Sequence, residues 1–189
     1  GLPGNRVITA VFTLDGATLD LKITATTDAE TPMNFANHSY WNFDGTPCWD
    51  GHKLQILADR FLPATDDHYP TGDIVQTAGT TMDFNTPRPI NCADHPFDNN
   101  FCLSDRPVPI RDALKLQGAS GVGMSVATNQ TGIQVYDGRG ARRPGKATYE
   151  GFAIEPQHWP DAPNHRGFPS ITVTPDTPYR QTSRWTFTA

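Results

Sequence analysis

The clearest alternation of apolar and polar positions lies near the start of the chain. Leu19, Leu21, Ile23 and Ala25 interleave with Asp20, Lys22, Thr24 and Thr26, which describes a strand with one buried and one wet face. Val7–Leu14 precedes it across Asp15-Gly16, a dipeptide that accommodates the positive φ of a tight turn. The pattern therefore predicts a hairpin over Val7–Leu14 and Thr18–Thr26. Shorter runs predict strands over Lys53–Ala58, Val122–Thr128, Ile133–Tyr136, Phe152–Gln157, Ile171–Thr174 and Arg184–Thr188. Prolines and glycines interrupt the apolar positions between Arg60 and Arg88, so a long loop with short pairings is expected there. Only Pro109–Gln117 suggests a helix. Many short strands with turn signals between them predict an all-β, antiparallel β-sandwich, one domain over 1–189.

Two segments carry polar chemistry on this frame. In Gly151–Asn164, strand period puts Phe152 and Ile154 on one face and Ala153, Glu155 and Gln157 on the other. Pro156 lacks an N–H, so the strand is expected to end there or to lie at an edge, where a side chain can face a cleft. In Asn34–Phe43, an extended chain puts Asn34, Ala36, His38, Tyr40 and Asn42 on one face, with Phe35, Asn37, Ser39, Trp41 and Phe43 on the other, before a turn at Asp44-Gly45. Histidine titrates near neutrality, so His38 and a carboxylate such as Glu155 would make an acid–base pair. Each also has a plain structural reading: a solvated Glu155 beside an edge strand, and a hydrogen-bonded His38. Asp98, flanked by Phe97 and two asparagines, suits an Asx-turn.

Composition narrows the partners. Asp and Glu number 20 against 15 Lys and Arg, a net charge of −5 with no basic block of the kind that tracks phosphates, so nucleic acid is not expected. No window approaches the ~18 apolar residues of a membrane span. Three cysteines, Cys48, Cys92 and Cys102, are an odd number without CxxC spacing. They argue against a disulfide framework and for buried thiols in a reducing, cytoplasmic compartment. Cys92 and His95 stand three apart, but no second pair completes a four-ligand zinc set, and no metal is expected.

The segments TPMNFANHSYWNFDG (31–45), HPFDNNF (95–101) and GFAIEPQHWPDAPN (151–164), in that order, resemble three signature segments of the aldose 1-epimerases, the galactose mutarotases. The opening GLPGNRVITAVFTL and the closing FPSITVTPDTPYRQTSRWTFTA are similar to that family's flanking segments. The resemblance implies a galactose mutarotase-like sandwich of which this chain looks like the downstream portion. The family's upstream part, with a sugar-contacting Arg and a second His, is not matched, so the sandwich is expected to be incomplete. An aldohexose is the implied partner, with no cofactor. Glu155 is implied as the base, His38 as the acid, and Asp98 as a ligand of sugar hydroxyls that also stands beside His38 and favours its protonated form. Gln157 and Asn37 would bind hydroxyls or orient the pair, and Trp41 or Trp159 would face the sugar or join the core. Two alternatives stay open: a hexose-6-phosphate epimerase using the basic loop Arg139–Lys146, and a sugar-binding protein without turnover. Neither the choice of sugar nor the oligomeric state is legible in the pattern.

Overall fold

In the computed structural model, which describes residues 1–94 and 96–189, the opening hairpin forms as its alternation demands. Strand β1 (Arg6–Asp15) pairs antiparallel with β2 (Thr18–Thr27), from Arg6 opposite Thr27 to Asp15 opposite Thr18. Gly16 takes a φ of 55° at the turn. Along β2 the buried positions are Leu21, Ile23 and Ala25, with Lys22, Thr24 and Thr26 exposed between them.

The remaining strands are β3 (Thr31–Pro32), β4 (Tyr40–Trp41), β5 (Lys53–Ile56), β6 (Arg60–Leu62), β7 (Val75–Gln76), β8 (Arg88–Pro89), β9 (Asp98–Cys102), β10 (Arg111–Gln117), β11 (Gly123–Thr128), β12 (Gly132–Tyr136), β13 (Phe152–Gln157), β14 (Thr172–Val173) and β15 (Tyr179–Thr188). They form a seven-stranded sheet in the order β1-β2-β15-β11-β10-β5-β8, a six-stranded sheet in the order β4-β13-β12-β9-β6-β7, and a β14-β3 pair. The two large sheets face each other across one apolar layer. Leu21, Ile23, Leu54, Leu114, Val126 and Trp185 come from the first sheet, and Phe101, Ile133, Val135, Phe152 and Ile154 from the second. Each such side chain contributes roughly 1.5–3 kcal/mol by leaving water. This is the antiparallel sandwich the strand pattern predicts.

The segment expected as a helix is a strand. β10 pairs with β5 on one side and β11 on the other, and Leu114 and Leu116 are buried while Lys115 and Gln117 are exposed. A register shift between Asp112 and Leu114 turns both Ala113 and Leu114 inward, which breaks the simple alternation and gives the run its helix-like look. Two-sided pairing overrides the helix propensity of Ala, Leu, Lys and Gln. β15 also runs five residues further upstream than its apolar pattern predicts, because Gln181 and Ser183 occupy buried positions with hydrogen-bond partners.

At the other margin, β1 is the edge strand of the larger sheet and is exposed along its whole length. Val7, Ile8, Val11, Phe12 and Leu14 are all at least half exposed. Among the described residues no helix is long and apolar enough to cross a membrane.

Candidate active site

β13 has one face in the core and one in a cavity. Phe152 and Ile154 are fully buried in the inter-sheet layer, whereas Glu155 and Gln157 line a cavity of about 260 Å³. β12 pairs with β13 along its length, but β4 reaches only Phe152 and Ala153. Pro156 therefore sits where the second side of the strand has no neighbouring strand, as its missing N–H requires. Its carbonyl accepts a hydrogen bond from Gln181 Nε2 at 2.8 Å. That bond fixes the strand between the two cavity-facing residues.

Register builds the floor of the cavity. Gln134 stands opposite Glu155, and Asn100 stands opposite Gln134, so a single rung across β9, β12 and β13 carries three polar side chains into it. Two residues before Asn100, Asp98 lines the same cavity. Gly132 leaves room for this arrangement: a Cβ there would lie 2.4 Å from Asn100 Oδ1. Gln134 Nε2 donates to Asp98 Oδ1 at 2.8 Å. Both side-chain polar atoms of Asn100, and Gln134 Oε1, are buried without a hydrogen-bond partner. Orphaned buried polar atoms are costly unless a ligand or water satisfies them, and here three belong to residues that line one small cavity.

His38 reaches the cavity from the segment that leads into β4. Asn34 anchors this segment to the end of β13: its Nδ2 donates to the His158 carbonyl at 3.0 Å, and the His158 N–H donates to Asn34 Oδ1 at 2.9 Å. His38 Nε2 lies 3.4 Å from Glu155 Oε1, with the His38 side chain 52% exposed and that of Glu155 only 8%. Burial pushes the Glu155 carboxyl up to about 7; the His38 charge pulls it down and the Asp98 charge adds to the rise. A carboxyl tuned to neutrality beside an imidazole can exchange protons in either direction. The Tyr40 ring lies 5.0 Å from His38, and Tyr136 presents its edge at 6.4 Å.

The structure thus brings His38, Glu155, Asp98 and Gln157 to one cavity. It corrects one pairing: the carboxylate beside His38 is Glu155, while Asp98 Oδ2 stands 3.2 Å from Nδ1 of a different histidine, His68. Asp98 lies on β9, two strands from β13, whereas His38 arrives beside β13 itself. Asn37 does not reach the cavity. It alternates away from His38 and accepts a hydrogen bond from Ser39 Oγ at 2.6 Å. Trp159 is core, buried with its Nε1 donating to the Thr131 carbonyl at 2.8 Å. Trp41 packs against Phe43 and Phe187.

Gln134 and Asn100 were readable from strand period, since they alternate with the buried Ile133, Val135 and Phe101. His68, on a turn, had no such signal. In the basic loop, Arg139 pairs with Asp137, and Arg143 and Lys146 both pair with Glu150. Two carboxylates thus offset half of its four positive charges, which weakens the loop as a phosphate site. His95 lies outside the described residues. Cys92 instead meets Cys48 and Asp50, one ligand atom from each lying within 4.8 Å of the others, one donor short of a closed zinc set. All three cysteines are free, and only Cys102 is fully buried.

The family model described as aldose 1-epimerase matches residues 1–186. The galactose mutarotases of Bos taurus and Rattus norvegicus are each 34% identical to the chain, over 99% of it and 59% of their own length. The aldose 1-epimerase of Escherichia coli (strain K12) is 32% identical over 89% of the chain and 54% of its own length. The chain thus spans about 59% of the length of the first of these relatives. Among solved structures, an aldose epimerase homologue from C. elegans superposes with a TM-score of 0.91 at 27% identity, covering 100% of this chain and 61% of that one. A galactose 1-epimerase from Lactobacillus acidophilus gives 0.82 at 25%, covering 99% and 58%.

Proposed function

This chain belongs to the aldose 1-epimerase family, and on that premise we propose that it interconverts the α and β anomers of a free aldohexose by acid–base ring opening. Glu155 is the base and His38 the acid. The observation that carries this reading is the 3.4 Å contact between a buried carboxyl and a half-exposed imidazole at the mouth of one cavity. The relatives named galactose mutarotase and galactose 1-epimerase support an aldohexose as substrate, and the partnerless polar atoms of Asn100 and Gln134 suit a ligand covered in hydroxyls.

The sugar enters between the two groups and replaces their mutual contact. Ionised Glu155 takes the proton of the C1 hydroxyl, the bond from C1 to the ring oxygen breaks, and protonated His38 delivers a proton to that oxygen. The products are an open-chain aldehyde, a neutral imidazole and a protonated carboxyl. After rotation about C1–C2 the same groups run in reverse: His38 takes the proton back from the hydroxyl and Glu155 returns its own to the aldehyde oxygen, which closes the ring as the other anomer. Protons balance at each step. Residence near neutrality is what a group that must both take and give a proton requires, and each such group supplies roughly 10²–10⁴-fold in rate. Asp98 and Gln157 bind hydroxyls, with Asp98 held in place by Gln134.

The reading is tested by polarimetry on freshly dissolved α-galactose and α-glucose, with the 189-residue chain and with the longest natural chain that contains it. Acceleration of mutarotation that is abolished by Glu155→Gln and by His38→Asn supports it. Sugar binding without acceleration in either chain means a sugar-binding protein instead.

A further inference from the structure

We infer that His68 is a substrate-binding residue of the same cavity, one that recognises hydroxyls on the part of the sugar remote from the reacting C1. The inference rests on the epimerase reading for its ligand class but on separate observations for the residue. His68 lines the cavity that holds Glu155 and His38, and it also lines a neighbouring cavity of about 480 Å³ that shares Asp98. Its ring therefore stands at the boundary between the reacting groups and further space.

The local geometry holds the turn that carries the ring. Thr65–Tyr69 is a closed turn: the His68 N–H donates to the Thr65 carbonyl at 2.9 Å, and the Thr65 N–H donates to the Tyr69 carbonyl at 2.8 Å. At its tip His68 has a φ of +65°, a conformation uncommon for any residue with a Cβ and one that concentrates at ligand-binding sites. The turn is closed below by the bridge between Ala64 and Pro70. Next to it, Gly72 packs against the ring of His165, where an added Cβ would lie 2.8 Å from Nδ1.

The chemistry of the pair fixes what His68 offers. Nδ1 faces Asp98 Oδ2 at 3.2 Å, which leaves Nε2 as the ring nitrogen not engaged with Asp98 and open to a ligand hydroxyl. Asp98 Oδ1 is occupied by Gln134. His68 and Asp98 thus present one imidazole nitrogen and the remaining carboxylate lone pairs side by side, a pair of polar groups for the adjacent hydroxyls of a pyranose. Glu155 and His38 are occupied with each other, so the two histidine–carboxylate pairs divide the sugar between reaction and recognition.

The test uses His68→Gly, which removes the ring and keeps the backbone conformation free of strain, and His68→Asn, which also tolerates positive φ and retains a short polar side chain. Equilibrium sugar binding and the KM and kcat of mutarotation are measured for galactose, glucose and their singly deoxygenated analogues. Expected is a five- to twentyfold rise in Kd and KM for His68→Gly with kcat within about threefold of wild type, a smaller loss for His68→Asn, and no loss on the one analogue that lacks the contacted hydroxyl. Unchanged affinity in a wild type that turns over overturns the inference and leaves the epimerase reading intact. Binding that weakens in His68→Gly while the wild type shows no turnover sinks the epimerase reading and supports His68 as a sugar ligand. A loss of equal size on every analogue, or a wild type that binds no aldose, overturns the inference.

Discussion

Replacing Glu155 by Gln should make the protein more stable and inactive at once. The folded-state pKa of Glu155 is about 7 against an ordinary value of 4.5, chiefly through burial. The folded chain therefore holds this proton more tightly than the unfolded chain does. Its contribution to stability is fully present below the unfolded pKa and is lost as pH rises through 7. At about 1.4 kcal/mol for each tenfold difference in proton affinity, the loss reaches at most roughly 3 kcal/mol by pH 8. Gln has nearly the same shape and no charge to desolvate. In urea denaturation the variant should match wild type near pH 4 and exceed it by up to roughly 3 kcal/mol at pH 8, with the gap opening between 4.5 and 7. In polarimetry it should lose at least about 10²-fold in turnover, with sugar affinity little changed. Stability gained where activity is lost marks a site held in a costly state for function. A stability difference that does not vary with pH refutes the buried, titrating carboxyl, and retention of more than about a tenth of wild-type turnover refutes its role as base.

His38→Asn should lower turnover by roughly 10²–10⁴-fold, and combined with Glu155→Gln it should cost less than the two losses added, since the pair acts as one unit; additive losses would separate them. His158 is held near a pKa of about 4 by burial, below its unfolded value, so it stabilises the fold above pH 6.5 and that stabilisation is lost as pH falls toward 4. The His158→Asn variant should accordingly show a shallower fall in denaturation free energy between pH 6.5 and 4, and an unchanged slope would count against a neutral buried ring. The apolar, exposed edge strand β1 should make the 189-residue chain self-associate, with Val11→Lys and Phe12→Lys returning it to monomer in sedimentation velocity; a wild type that is monomeric throughout would contradict this.

What was legible in the sequence was what a one-sided burial pattern dictates. The faces of β2 and of β13 follow from period two, because a slip of one residue would drive Lys22 or Glu155 into the core, and the Asp15-Gly16 turn adds β1 to β2 as a hairpin. β10 escaped that logic because its bulge inverts one residue, and the first half of β15 did so because its inward positions are Gln181 and Ser183, buried but hydrogen-bonded. The members of the site were legible as candidate chemistry, and His38 with Glu155 as a pair, but the partner of Asp98 was not. Which histidine meets Asp98 depends on strand order, and sheet order β4-β13-β12-β9 is a long-range property that no local window contains. His68 lay deeper still, in a turn whose neighbours Asp66 and Asp67 read as ordinary loop polarity.

The placement of Glu155 also bears on how such a protein can diverge. It hangs from a strand whose alternate residues, Phe152 and Ile154, are part of the inter-sheet layer, so a lineage can move this carboxyl by slipping the strand only at the cost of pulling those residues out of the layer. His68 rides on an exposed turn with no such liability. If Glu155 and His68 have the roles proposed, the reacting group is anchored while the recognising one is free to drift, and descendants of this chain would be expected to differ first at the turn and last on the strand.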